Sequence, residues 1–152
     1  MLRHTFVTAS FLLAASAAPL SQAADAQVFD EALAKSLGAD QRGMRSYVYV
    51  LLKTGPKQMP AGPERDAMFK GHFENIGRLA KEKKLVVAGP YDGVDGWRGM
   101  FIFAVPDIEE AKKLVATDPV IINGEMVAEY HKLYGTAALM MINEIHGKLS
   151  KP

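Results

Sequence analysis

The feature that most constrains this chain is a run of six consecutive apolar residues at positions 47–52 (YVYVLL). Aromatic and β-branched residues of this kind favour a strand. Because successive side chains of a strand point to opposite faces, both faces of this strand carry bulky apolar groups. Residues 97–105 (WRGMFIFAV) have the same character. A sheet with one face in water alternates apolar and polar residues instead, so these segments predict a sheet that is covered on both faces.

The periodicity along the chain predicts the order strand, helix, strand, strand, helix, strand. Apolar residues recur at helical spacing within residues 64–83, and a second helix begins after Pro106-Asp107. The predicted strands cover residues 47–52, 85–88, 97–105 and 125–134. This order is that of the ferredoxin-like βαββαβ fold, an α+β architecture with four antiparallel strands and two helices on one face. Extra helices are predicted at residues 26–37 and 137–146.

The second apolar face of such a sheet needs a cover. Two helices cover one face only, and soluble monomers avoid an exposed apolar patch of that size. We therefore expect a homodimer in which two copies pack sheet to sheet as a dimeric α/β barrel, with the terminal helices as additional cover.

The first 23 residues have the features of a secretory signal peptide. Arg3 and His4 give a positive start, an apolar stretch follows at residues 6–20, and small residues precede a cleavage point after Ala23. The alternative is an uncleaved amphipathic or anchoring helix. The stretch is short for a membrane span. We expect a periplasmic or secreted protein with no membrane contact after cleavage.

Charge and cysteine content narrow the partners and the chemistry. The chain has 18 Lys and Arg against 17 Asp and Glu, a formal net charge of +1 that falls to zero when Arg3 leaves with the signal. It lacks the basic excess of a nucleic-acid-binding protein, so no nucleic-acid partner is expected. The sequence contains no cysteine, which excludes disulfides, thiol nucleophiles and thiolate metal ligands. Stability must come from a packed core or from association.

His72 is the foremost candidate for a catalytic residue. It lies among the apolar positions of the first core helix, between Phe69 and Phe73, on the face that should pack against the sheet. A buried imidazole requires a hydrogen-bond partner. Two interpretations are open: a histidine satisfied within the core, or a general acid or base that works near neutral pH.

Asp118 and Arg98 are the other candidate site residues. Asp118 precedes Pro119, the pattern of a helix N-cap followed by proline at the first helical position, and this alone accounts for it. A second role, orienting the ring of His72 and setting its tautomer, requires the two residues to be neighbours in space. Arg98, at the start of the third strand, could bind an anionic group of a substrate; the alternative is an exposed arginine.

No metal site is expected. Glu125, Glu129 and His131 alternate along the last strand and would share one face, but a Glu-x-His pair is a weak metal signal, and a solvated edge strand explains it. The YDGVDG sequence at residues 91–96 lacks the ligand spacing and closing glutamate of a calcium loop and predicts a tight turn. The sequence has no H-E-x-x-H, G-x-S-x-G, P-loop or G-x-G-x-x-G motif.

Three features together resemble the YCII-related family: His72 on the first core helix, the LVVAGP sequence at residues 85–90, and Thr117-Asp118-Pro119 before the last strand. The resemblance extends over residues 44–134, and the segments outside it look like those of an exported subgroup. It implies a ferredoxin-like dimeric barrel whose site, built from a histidine and an aspartate, falls here on His72 and Asp118.

The chain is accordingly divided into a signal peptide (1–23), an N-terminal helix and linker (24–45), a YCII-like domain (46–134) and a C-terminal helix (135–152). The function that the resemblance implies is acid–base chemistry of lyase or isomerase type on a small cyclic or aromatic compound, with no metal or organic cofactor. One branch of the family eliminates chloride from a chlorinated hydroxyquinol. The alternative is a non-catalytic dimer that binds a small ligand or a protein partner.

Overall fold

A computed structural model describes residues 28–151 of the chain. The expected signal peptide and its cleavage point lie outside these residues. The helices are α1 (Glu31–Ser36), α2 (Pro63–Lys81), α3 (Ile108–Val115), α4 (Pro119–Ile122) and α5 (Ile142–Leu149). The strands are β1 (Met44–Thr54), β2 (Leu85–Pro90), β3 (Trp97–Phe103) and β4 (Met126–Thr136). Two short 3₁₀ helices, Val94–Gly96 and Ala137–Met141, precede β3 and α5.

The four strands form one antiparallel sheet in the order β2-β3-β1-β4. Strand β1 lies in the centre, where Val50 pairs with Phe101 of β3 on one side and with Tyr130 of β4 on the other. This order, with a helix after β1 and another after β3, is that of a ferredoxin-like α+β fold. The predicted arrangement of strands and helices is therefore confirmed.

The hydrophobic core lies between one face of the sheet and the helices α2, α3 and α4. Strand β1 contributes Val48, Val50 and Leu52, each at most 2% exposed, and the helices contribute residues such as Leu79 and Val115. Burial of a side chain of this size stabilises the fold by about 1.5–3 kcal/mol. The interface between helices and sheet is thus the main source of stability and a rigid support for side chains that line it.

The second face of the sheet is covered at one end by the chain itself. Tyr47 faces away from the core, yet it is only 1% exposed, and both it and Leu139 lie within 4 Å of where a side chain at Gly135 would begin. The side-chain amide of Asn143 donates to the backbone oxygen of Leu85 at 2.8 Å. The C-terminal segment therefore crosses from β4 to β2 beneath the sheet, as a 3₁₀ helix followed by α5 rather than the single helix predicted.

No part of residues 28–151 covers the other end of the second face. Val127 is 43% exposed, and Met100 and Ile102 of β3 are only partly buried. The apolar run in β1 is thus covered on its core side and in part on its second side within one copy of the chain. Packing of a second copy on the open end stays a prediction.

Three predicted bounds need correction. The N-terminal helix is short: α1 has six residues, begins after the N-cap Asp30, and leaves the neighbouring Phe29 74% exposed. A helix of fewer than two turns cannot bury a continuous apolar stripe. Strand β1 begins at Met44, within the predicted linker, and β4 runs two residues beyond its predicted end.

Candidate active site

His72 lies on the face of α2 that packs against the sheet and is 7% exposed. Aromatic rings surround its imidazole: the centroids of Phe73, Phe69 and Phe101 lie 5.3, 6.1 and 6.1 Å away. The predicted burial of His72 is confirmed. Phe73, however, is 65% exposed. It lies at the rim of a cavity and not within the core as its spacing suggested.

Asp118 lies beside His72 and is 1% exposed. Nδ1 of His72 is 2.9 Å from Oδ1 and 2.8 Å from Oδ2 of Asp118. Oδ1 also accepts a hydrogen bond from the backbone N–H of Val120 at 3.1 Å, which is the N-cap bond of α4. The two roles considered for Asp118, helix cap and partner of His72, are present together.

Close packing of α2 on α4 brings the pair together. A Cβ atom at Gly71 would lie 3.1 Å from Cγ of Pro119, so the absence of a side chain at Gly71 lets Pro119 approach the backbone of α2. His72 follows Gly71 in the chain and Asp118 precedes Pro119. The same approach therefore sets the imidazole and the carboxylate side by side.

The hydrogen bond defines which nitrogen of His72 is free to react. A carboxylate only accepts hydrogen bonds, so Nδ1 of His72 carries the proton that lies between the two residues. Nε2 has no hydrogen-bond partner within residues 28–151, where every fully buried side-chain nitrogen or oxygen has one. Nε2 is therefore accessible, and in the neutral ring it is an unprotonated base. A base held by an acidic partner is the arrangement that general acid–base catalysis uses.

A cavity of about 460 Å³ opens beside the ring of His72. Most of its wall is apolar and comes from both helix and sheet, including Leu52, Phe69, Phe73, Ile76, Phe101 and Met126. Arg98 lines the same cavity. The structure thus brings the three predicted site residues to one place, with His72 and Arg98 in the wall and Asp118 behind His72.

Arg98 lies next to Glu125, an acidic residue that was predicted to be solvated and is buried. Glu125 has no exposed surface; its Oε1 accepts from Nη2 of Arg65 at 2.8 Å, and its Oε2 accepts from the backbone N–H of Met59 at 2.8 Å. Nη1 of Arg98 lies 3.8 Å from the same Oε1 and donates to Oε1 of Gln58 at 3.4 Å. Two arginines and one carboxylate therefore meet at the edge of the cavity.

The surroundings of Glu125 favour its ionised form. Burial by itself raises the pKa of this carboxyl group, but the hydrogen bonds from Met59 and Arg65 and the charges of Arg65 and Arg98 outweigh burial and lower the pKa. The predicted solvated position for Glu125 is wrong because the residue precedes β4 and its carboxylate bonds to α2 and the loop before it. The alternation of residues along the last strand does not predict the burial of a side chain that lies before the strand begins.

Glu129 and His131 lie on the second face of the sheet, apart from the residues that line the cavity. Nε2 of His131 is 2.8 Å from Oε1 of Glu129, and Nζ of Lys53 is 3.3 Å from Oε2. These contacts lower the pKa of Glu129, and the hydrogen bond from His131 contributes most. Within residues 28–151, no three His, Cys, Asp or Glu side chains group as they would around a metal ion, and no helix is both long and apolar enough to cross a membrane.

Comparison with known families and proteins adds two findings. The family model described as the YCII-related domain matches residues 46–131, more than half of the chain, and the matched part includes both His72 and Asp118. The uncharacterised protein YjpA of Bacillus subtilis (strain 168) is 33% identical over 54 residues. That alignment covers 36% of this chain and 61% of YjpA, so the chain spans less than two thirds of this relative's length.

Proposed function

Because this chain belongs to the YCII-related domain family, we propose that it is an enzyme that transfers a proton to or from a small cyclic or aromatic compound bound in the cavity. The reaction class is elimination or isomerisation. His72 acts as the general acid–base through Nε2, and Asp118 orients and charge-balances the imidazole. The chemistry is carried by these side chains themselves.

The hydrogen bond between Nδ1 of His72 and the carboxylate of Asp118 is the observation that carries the proposal. A histidine that served only the core would need both ring nitrogens satisfied, since a buried polar atom without a partner costs about 1–3 kcal/mol. Here Nδ1 is bonded and Nε2 is accessible beside an apolar cavity. A positioned base of this kind accelerates a reaction by about 10²–10⁴-fold.

The test is a proton-exchange assay with the mature chain. A panel of lactones, cyclic ketones and halogenated phenols is incubated in D₂O, and deuterium uptake or loss of halide is followed by NMR. We expect turnover of at least one compound, and a rate at least 100-fold lower for His72→Gln. His146→Gln, an exposed change on α5, is the matched control and should react like the wild type. Equal turnover by the wild type and His72→Gln contradicts the proposal.

A second function is supported by the character of the cavity wall. His72, Arg98 and Tyr91 are the residues with polar side chains in a mainly apolar cavity wall, and apolar cavities with few polar groups are typical of ligand-binding proteins. In this alternative the chain is a non-catalytic carrier or an interaction protein. Saturable binding of panel compounds without any His72-dependent exchange supports it over the enzyme.

We also propose that the mature protein is exported and acts as a homodimer. Export is supported by the signal-like first 23 residues, and it predicts a periplasmic or secreted product that begins at Ala24, which mass spectrometry of cell fractions measures. The dimer is supported by the open end of the second sheet face, where Val127, Met100 and Ile102 are incompletely buried and apolar surface favours association.

A further inference from the structure

We infer that the ligand of this cavity carries a carboxylate group that binds to Arg98, so that the substrate class is a ring-bearing monocarboxylate. The inference rests on the proposed function in one respect: it assumes that the cavity beside His72 is where a small molecule binds. It adds the chemical group by which that molecule is recognised.

The guanidinium group of Arg98 has N–H donors that make no hydrogen bond within residues 28–151. Its side chain is 23% exposed, and its contacts to Gln58 and Glu125 both use Nη1, at the long distances of 3.4 and 3.8 Å. Within residues 28–151, Nη2 and Nε of Arg98 donate no hydrogen bond. Every fully buried side-chain nitrogen in the same range has a hydrogen-bond partner, so Nη2 and Nε are accessible, and an acceptor for them can come from water or from a ligand in the cavity that Arg98 lines.

Glu125 does not supply that acceptor. Its Oε1 is bonded to Arg65 and its Oε2 to the backbone of Met59, both at 2.8 Å. Arg65 is in turn fixed over the ring of Phe69, with Cζ 4.7 Å from the ring centroid. The group formed by Arg65, Arg98 and Glu125 therefore contains one complete ion pair and one positive charge in excess, and that excess lies on Arg98.

A single positive charge with two free donors selects the ligand group. The planar fork of a guanidinium matches the two oxygens of a carboxylate in a bidentate contact. A carboxylate carries one negative charge and matches the excess, whereas a phosphate dianion carries more negative charge than the excess can balance. The remaining wall, with Phe69 and Phe101, suits a hydrocarbon ring. His72 lines the same cavity, so a molecule bound to Arg98 lies within reach of its imidazole.

The experiment compares benzoate, its neutral isostere benzamide, and inorganic phosphate as probes of the mature wild-type chain. NMR titration measures affinity and records shifts of the His72 imidazole. We expect benzoate to bind more tightly than benzamide and than phosphate, with an affinity that falls as salt rises. Arg98→Gln should weaken benzoate at least tenfold, as expected for loss of a charge-assisted hydrogen bond, and should leave benzamide unchanged. Arg78→Gln, an exposed change on α2, is the control.

The result that overturns the inference is benzoate that fails to bind, binds no better than benzamide, or binds equally well to Arg98→Gln. Thermal melting of Arg98→Gln, together with its unchanged benzamide affinity, shows that the variant is folded. Separate measurements distinguish this inference from the proposed function: the benzoate affinity of Arg98→Gln tests the carboxylate, and proton exchange by His72→Gln tests the enzyme. Benzoate binding that does not depend on Arg98 refutes the carboxylate alone, and proton exchange that does not depend on His72 refutes the enzyme alone.

Discussion

The carboxylate of Asp118 binds the imidazole of His72 at 2.8 Å while it accepts the backbone N–H of Val120 at 3.1 Å. One side chain thus serves the fold and the site at the same time. The structural role and the role at the site require different atoms of this side chain. A helix cap requires only an acceptor atom, whereas the histidine requires an acceptor on the side that faces Nδ1. Substitutions at this position therefore separate stability from chemistry.

Asp118→Asn should preserve the cap and change the tautomer of His72. The amide oxygen can accept from Val120, which leaves the amide N–H₂ to donate to Nδ1, and the ring proton then moves to Nε2. We expect long-range ¹H–¹⁵N NMR spectra to show protonated Nδ1 in the neutral wild-type ring and protonated Nε2 in the variant. Asp118→Ala lacks a cap, so we expect Asp118→Asn to be more stable than Asp118→Ala by about 0.5–2 kcal/mol in free energy of unfolding.

Asp107→Asn is the matched control, because Asp107 caps α3 through the N–H of Glu110 at 2.9 Å. It should leave the His72 spectrum unchanged. A wild-type ring that carries its proton on Nε2 contradicts the assigned tautomer.

Glu125→Gln should destabilise the fold in a pH-dependent way. The folded state lowers the pKa of Glu125, so its stabilising effect is complete above the unfolded pKa and is lost as pH falls through the folded pKa. At pH 7 we expect the variant to be less stable by about 1–3 kcal/mol, since Arg65 loses a buried partner. Urea denaturation at pH 7 and pH 3 should show the difference shrink at the lower pH.

Glu109→Gln, at an exposed position of α3, should have little effect at either pH. A stability gap for Glu125→Gln that widens on acidification is incompatible with an ionised Glu125 in the folded state.

Two glycine substitutions should act in opposite directions. A Cβ atom at Gly55 would lie 2.2 Å from the backbone oxygen of Gly124. The backbone N–H of Gly55 donates a hydrogen bond to the neighbouring backbone oxygen of Glu125. Gly55→Ala should therefore cost about 1–3 kcal/mol. Gly77 lies inside α2, where an added Cβ atom would meet nothing within 4 Å, and Gly77→Ala should stabilise by about 0.5–1 kcal/mol. Thermal melting of both variants checks the signs.

Val127→Glu should separate the proposed dimer into monomers. Val127 lies on the open end of the second sheet face, and a charge there would be buried if two copies packed sheet to sheet. Analytical ultracentrifugation should give twice the chain mass for the wild type and the chain mass for the variant. Lys113→Glu, an exposed change on α3, should remain dimeric. A wild type that sediments as a monomer at micromolar concentration removes the dimer from the proposal.

The periodicity of the sequence was sufficient to predict the ferredoxin-like order and the burial of His72, because both depend on local patterns of apolar residues. The closeness of His72 to Asp118 could not be predicted in this way, since the two are 46 positions apart and meet through the packing of α2 on α4. Glu125 shows the limit of strand alternation: at the first residue before a strand, the turn sets the side-chain direction. Phe73 follows the helical stripe, but the cavity beside it leaves it exposed.

The central position of β1 has a consequence for how the chain is made. Both of its neighbours come later in the sequence, β3 from Trp97 and β4 from Met126, and the segment that covers Tyr47 follows them. Pairing between such distant strands slows folding. On the ribosome, one edge of β1 stays unpaired until β3 has emerged, and the other edge stays unpaired until β4 has emerged. For that interval, a chaperone would meet an incompletely paired chain and not a finished domain.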